Sequence, residues 1–356
     1  MTDDRNPEPG PSGAGGDESP FSAPASDADT GSRTGDTSDG ATTETGLDVD
    51  GLQDKLATVR AEVRKRLVGQ QRVLDDLLAC ILADGNALLE SNPGLAKTLT
   101  VRTLANVTDL SFSRIQNTPD LMPSDITGTE IIRDDDRGSR EFAFEEGPIF
   151  ANVVLADEIN RATPKTQAAL LEAMEEQQVT AAGETYRLPD PFFVMATQNP
   201  IDQEGTFPLP EAQTDRFLLK ILVDYPAADE ELEIVDRYTS RVDESIPVQQ
   251  VLSRAEIRDA QALTRQVPIA DDIREKAVKL VRATREADVI EYGASPRASM
   301  ALVVTAKAHA LIDGRAYVSE EDLARMAKPV LRHRIVVDFQ AEREGTTPDD
   351  AIEQLV

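Results

Sequence analysis

The chain has 356 residues, 40% of them hydrophobic, yet only 4% aromatic and none of them Trp. That is apolar material for one large or two modest cores. With 37 Lys and Arg against 65 Asp and Glu, the net charge of −28 argues against a sequence-independent grip on nucleic-acid phosphate, which needs a positive surface. No apolar run approaches the roughly 20 residues of a membrane span, and the start of the chain lacks a basic-then-apolar leader, so a cytoplasmic location is expected.

Residues 1–48 are mostly Gly, Pro, Ser, Thr, Asp and Glu, with Phe21 and Leu47 as the large apolar exceptions. Such a stretch cannot offset the entropy of ordering and reads as a disordered acidic tail. From Leu52 to Leu82 apolar residues recur at helical spacing (Leu56, Val59, Val63, then Val73, Leu74, Leu77, Leu78, Ile81), which predicts two helices flanking Val68-Gly69-Gln70. Cys80, the single cysteine, lies inside that amphipathic pattern and reads as a small buried hydrophobe rather than a catalytic thiol.

Next, an apolar run (Ala87-Leu88-Leu89) breaks at a loop, Ser91-Asn92-Pro93-Gly94-Leu95-Ala96, that ends in Lys97-Thr98 at the start of a helix reaching about Val107. Strand, loop and helix in that order make a phosphate-binding loop. Backbone N–H groups and the helix N-terminus converge on an anion, Lys97 reaches the β/γ-phosphates and the Thr98 hydroxyl ligates Mg²⁺. The general pattern G-x-x-x-x-G-K-[ST] has Ser91 and Ala96 where the outer glycines belong, and only Gly94 remains inside the loop.

A short strand is predicted near 112–115, then a polar hairpin insertion within 128–146 whose tip is Asp134-Asp135-Asp136-Arg137-Gly138. Asn152 to Ala156 is a near-continuous apolar strand ending in Asp157-Glu158. A helix over 165–177, a second hairpin over 179–188, a buried strand over 191–196 ending at Thr197-Gln198-Asn199, a short helix over 211–216 and a last strand over 218–223 complete an α/β alternation. That alternation predicts a parallel sheet with ligands at the carboxyl ends of its strands. Beyond Pro226 only helices are predicted, at 228–241, 253–265, 270–286, 296–312 and 319–331.

Phosphoryl transfer needs a carboxylate for the hydrated Mg²⁺ and, for hydrolysis, one that polarises the attacking water. Asp157 fits the first role, through water, and Glu158 the second. Asn199, at the end of the next strand, is suited to orienting that water. Arg216 and Arg297 each sit at a helix terminus. A lone Arg is usually a solvated charge, but an NTPase needs guanidinium groups against the transferring phosphoryl group, and these can come from a neighbouring subunit.

Five blocks resemble the MoxR family of AAA+ ATPases: Asn92-Pro93-Gly94-Leu95-Ala96-Lys97-Thr98, the run from Arg114 to Gly128, Asp157-Glu158-Ile159-Asn160-Arg161-Ala162, Ala196-Thr197-Gln198-Asn199-Pro200 and Leu331-Arg332-His333-Arg334-Ile335. The resemblance covers about residues 50–340. It implies an α/β AAA+ P-loop NTPase core with strand order 5-1-4-3-2, a helix-2 insert near 128–146 and a C-terminal helical lid. The corresponding layout is a tail over 1–48, a core over 49–226, a lid over 227–346 and a C-terminal tail over 347–356.

By the same resemblance Lys97 and Thr98 match Walker A, Asp157 and Glu158 Walker B, Asn199 sensor 1, Arg216 the arginine finger and Arg297 sensor 2, acting in cis or in trans. Val68-Gly69 matches the segment that lines the adenine, and the Ser91 hydroxyl is placed near the phosphates. The expected cofactors are ATP and Mg²⁺. The expected assembly is a ring, a hexamer, that remodels a client protein or loads it with metal, often with a partner carrying a von Willebrand factor A domain. A metal-chelatase motor subunit and a non-hydrolysing nucleotide switch are the competing readings. The scarcity of lysine and the dispersed acidity resemble halophilic proteins, so a halophilic archaeal source is expected.

Overall fold

Apolar residues on successive positions of a strand serve opposite faces of a sheet, so a strand apolar throughout must be covered on both sides. The computed structural model describes residues 47–134, 140–181, 183–200, 205–239 and 246–356, and its central strands behave in that way. Leu89, Val153, Leu155, Phe193, Met195 and Ile221 point into one hydrophobic cluster, while Leu88, Val154, Ala156, Val194 and Ala196 point into another.

Two helices, α1 (Val49–Arg64) and α2 (Gln71–Leu82), precede strand β1 (Ala87–Ser91), helix α3 (Lys97–Val107) and β2 (Phe112–Gln116). The turn α4 (Pro123–Thr127) leads into an antiparallel hairpin of β3 (Gly128–Asp134) and β4 (Arg140–Glu146), at the predicted insertion. The predicted tip lies beyond Asp134, outside the described residues. Strand β5 (Val153–Asp157), helix α5 (Pro164–Glu176), a second hairpin of β6 (Gln178–Ala181) and β7 (Glu184–Arg187), β8 (Phe193–Gln198), the turn α6 (Glu211–Thr214) and β9 (Leu219–Val223) follow. The central sheet has the order β2-β5-β8-β1-β9 and every pairing in it is parallel. Counted among these five strands alone, that is the predicted order 5-1-4-3-2.

The remaining chain carries α7 (Ala228–Thr239), α8 (Arg254–Gln266), α9 (Asp271–Ala283), β10 (Ile290–Tyr292), α10 (Pro296–Ile312), α11 (Glu320–Leu331), β11 (Val336–Val337), α12 (Phe339–Arg343) and α13 (Pro348–Glu353). Two expectations are corrected here. The region is not purely helical, because β10 and β11 pair antiparallel. Nor do residues 347–356 form a tail: Thr347 caps α13, and Ala351 and Ile352 are fully buried, so the apolar face of this short helix completes the core. Residues Gly46–Val356 form one compact unit. A single cluster runs from α1 and α2 into α8, α10 and α11, and an ion pair of 2.6 Å between Asp76 and Arg325 ties α2 to α11. Cys80 is buried and donates to the Gly85 carbonyl, and burial pushes its thiol pKa up, as an inert core residue requires.

Candidate functional site

Helix α3 starts without a side-chain cap, at Ala96, whose backbone is left-handed with φ +56°. Its first amides are therefore left for an anion from outside the helix. Lys97 and Thr98 open this helix, and the Lys97 ammonium donates to the Ser91 carbonyl at 3.1 Å, folding back over the loop. Gly94, with φ +85°, has no heavy atom within 4 Å of where a Cβ would stand, so its glycine serves the turn and not a close contact.

The residues Pro93 to Leu99 line a cleft of about 440 Å³ together with Arg114, Asp157, Glu158 and Asn199. The sheet supplies this convergence: the loop follows the end of β1, Asp157 and Glu158 close β5, and Asn199 follows β8. Ser91 and Asn92 are not in the lining. Ser91 is buried and its hydroxyl donates to the Asn92 carbonyl at 3.1 Å, so it is turned into the loop and not toward the cleft as expected, since a buried hydroxyl takes its nearest acceptor. Asn92 donates to the Tyr225 hydroxyl at 3.0 Å. Val68 and Gly69 border the loop: Gln70 next to them donates to the Leu95 carbonyl at 3.3 Å, and the Glu230 carboxylate stands where a Gly69 Cβ would lie.

The acidic pair is held by residues that sequence reasoning did not single out. One oxygen of Asp157 accepts from the Thr197 hydroxyl at 2.6 Å, and the other from Arg114 Nη2 at 2.6 Å and Nε at 3.1 Å. The same Thr197 hydroxyl accepts from the Glu158 N–H at 2.9 Å, so one β8 side chain fixes both acids relative to each other. Glu158 is left-handed at φ +56°, and its carboxylate accepts from Gln116 at 3.0 Å and from Arg161 at 3.3 Å. Left-handed backbone at Ala96 and Glu158, both lining the cleft, and at Gln70, which bonds to the loop, stores strain of about 1–3 kcal/mol each that the surrounding packing sustains. Arg114 and Gln116, two apart on β2, share a face of the strand next to β5, and their spacing was the available signal.

The donor set suits a hard divalent cation bound with a polyphosphate: the Thr98 hydroxyl and the Asp157 carboxylate share the cleft with Lys97. Among the described residues no group of three or more His, Cys, Asp or Glu side chains gathers to hold a metal, and Mg²⁺ in such a cleft needs only one or two protein oxygens beside phosphate and water.

Arg216 and Arg297 are not in this cleft. They line a second one, of about 400 Å³, with Asp84, Gly85 and Asn86, the residues that precede β1. The phosphate loop leaves the carboxyl end of β1 and Arg216 precedes β9, so the two clefts lie at opposite ends of parallel strands. Five residues at about 3.3 Å each set them roughly 16 Å apart. Within the second cleft Glu175 bridges the two cations, 2.6 Å from Arg216 and 3.8 Å from Arg297, and Arg216 also donates to the Leu171 carbonyl at 3.2 Å.

A parallel sheet of this order, with a phosphate loop after β1, acids after β5 and a helical cap, defines a P-loop NTPase of the AAA class. The model of the ATPase family associated with various cellular activities (AAA) matches residues 86–219, and the AAA lid domain matches 282–355. The chain is 43% identical over 304 residues to the chaperone MoxR1 of Mycobacterium tuberculosis, spanning 83% of this chain and 79% of that protein. It is 42% identical over 308 residues to the protein YeaC of Bacillus subtilis, spanning 86% and 94%. A crystal structure from Cytophaga hutchinsonii superposes with a TM-score of 0.79 at 43% identity, covering 85% of this chain and 94% of that one. The chain belongs to the MoxR family of AAA ATPases.

Proposed function

We propose that this protein binds MgATP in the Lys97 cleft and hydrolyses it. The carrying observation is the convergence of Lys97, Thr98, Asp157, Glu158 and Asn199 on one cleft beside an uncapped helix N-terminus. The α3 amides and Lys97 hold the phosphates. The Thr98 hydroxyl would hold Mg²⁺ directly and Asp157 would hold it through water, and the ion would supply neutralisation of the phosphate charge. For Asp157 to serve this role Arg114 leaves its outer oxygen, and for Glu158 to polarise water its carboxylate leaves Gln116 and Arg161. Asn199 orients the water.

Arg216 and Arg297, at the far end of the strands from their own subunit's loop, act on the nucleotide of a neighbour. That reading asks for a head-to-tail interface that closes into a ring, and the family resemblance puts six subunits in it. The lid that follows Pro226, α13 included, converts hydrolysis into movement and the output is chaperone-like remodelling or metal loading of a client in the cytoplasm, with a von Willebrand factor A domain protein as partner. The net charge of −28 supports a high-salt, halophilic setting. In high salt, steady MgATP turnover that falls about 10²- to 10³-fold in Glu158→Gln, with nucleotide affinity retained, supports this reading. Equal turnover in that variant removes Glu158 from the chemistry.

A further inference from the structure

The segment Arg332-His333-Arg334 belongs to one of the five blocks of resemblance, and Arg334 lines the second cleft beside Arg216 and Arg297 without touching either guanidinium's partner Glu175. Arg334 follows α11 and its side chain is only 3% exposed. All five of its N–H donors have acceptors: Nε meets Asp215 Oδ1 at 2.7 Å, Nη2 meets the Asp215 carbonyl at 3.3 Å and the Phe217 carbonyl at 2.6 Å, and Nη1 meets the carbonyls of Leu218, at 3.0 Å, and Val330. The segment so gripped, 215–218, contains Arg216. His333 adds a bond to the Phe217 carbonyl at 2.9 Å, and Arg332 one to the Lys220 carbonyl at 3.3 Å while its other donors pair with Asp349.

The second oxygen of Asp215 continues the chain of contacts. It accepts from the Ser295 hydroxyl at 3.4 Å, and that hydroxyl in turn accepts from the Arg297 N–H at 3.2 Å, capping α10. One guanidinium therefore fixes the backbone on either side of Arg216 directly and the backbone of Arg297 through Asp215 and Ser295. We propose that Arg334 is a positioning residue that sets both trans-acting cations at once, with Asp215 as its relay. This rests on the trans reading of Arg216 and Arg297 given above. A lysine has three donors on a point charge and cannot reproduce a planar fork that holds four carbonyls and a carboxylate.

Arg334→Gln should lower kcat about 10- to 100-fold, the cost of misplacing a catalytic group by about 1 Å, with KM and nucleotide Kd within about twofold of the parent. The discriminating measurement is subunit mixing on the full chain. Lys97→Ala subunits have a disabled loop and intact cations, so mixing them with Arg216→Ala subunits restores turnover if the cations act in trans. Recovery in that control and in Arg334→Gln mixed with Lys97→Ala supports the proposal. Recovery in the control but none with Arg334→Gln overturns it alone, as does parental turnover in Arg334→Gln or a loss of nucleotide affinity that tracks the loss of kcat. No recovery in the control removes the trans reading and the proposal with it. If Arg334→Gln lacks a cooperative thermal transition, Asp215→Asn, at a more exposed position of the same relay, carries the same comparison.

Discussion

The cleft around Lys97 and the cleft around Arg216 stand at opposite ends of the same strands and are prepared in opposite ways. In the first, backbone strain and an uncapped helix leave an anion-binding surface, and the two carboxylates are held by neutral or cationic neighbours. In the second, two cations are held ready by one carboxylate, Glu175, and by the Asp215 relay. The guanidinium group in the Lys97 cleft, Arg114, is paired with Asp157, while Arg216 and Arg297 stand in the other cleft, away from the phosphate loop. If the second cleft serves a neighbour's nucleotide, as proposed, catalysis depends on assembly, and turnover should respond to protein concentration more than nucleotide binding does.

Removing one member of each cleft should give the largest effects. Arg216→Ala should reduce kcat by about 10³-fold or more, the value of an arginine finger, with nucleotide Kd unchanged. Lys97→Ala should instead weaken nucleotide binding about 10- to 100-fold, from the 1.5–3 kcal/mol of a hydrogen bond to a charged group. Fluorescent-nucleotide titration beside steady-state turnover separates the two, and equal Kd losses would merge the clefts into one site.

A smaller effect comes from pH. Burial, helped by the charge of Arg334, pushes the His333 pKa well below its ordinary 6.5. Below pH 6.5 the unfolded chain takes up a proton that the folded chain refuses, so stability is lost as pH falls from that value. Asp322 acts in a lower window. Although burial opposes it, Arg315, His309 and Ser319 hold its carboxyl well below 3.8, so its contribution is complete above that value and is lost as pH falls below it. Tm measured from pH 7.5 to 4.5 should decline in the parent and flatten in His333→Gln, and a parallel decline would place the titration elsewhere.

The smallest effect belongs to the loop itself. Ala96→Gly relieves a left-handed alanine and should raise stability by about 1 kcal/mol, or ~2 °C in Tm for a chain of this size, with turnover kept. A fall in Tm would mean that the Ala96 methyl contributes packing that outweighs its strain.

Much of the architecture was legible in the chain. Runs such as Val153-Val154-Leu155-Ala156 can only be strands covered on both faces, and the helical spacing from Leu52 to Leu82 needs only local geometry. The acids and the loop were legible too, because each closes an element and the carboxyl ends of parallel strands meet. What failed was local detail that depends on distant partners. A polar stretch such as 347–356 becomes a helix only because Ala351 and Ile352 find a core to complete.

Neighbours along the chain set which residues carry charge and which elements they end, since periodicity and turn chemistry are local properties. Only the tertiary structure decided that Lys97 and Arg216 stand at opposite ends of the sheet, that Thr197 joins Asp157 to Glu158, and that Arg334 grips the backbone around Arg216. Those contacts join residues 39 to 119 positions apart, and no local pattern encodes a distance that the packing of parallel strands creates.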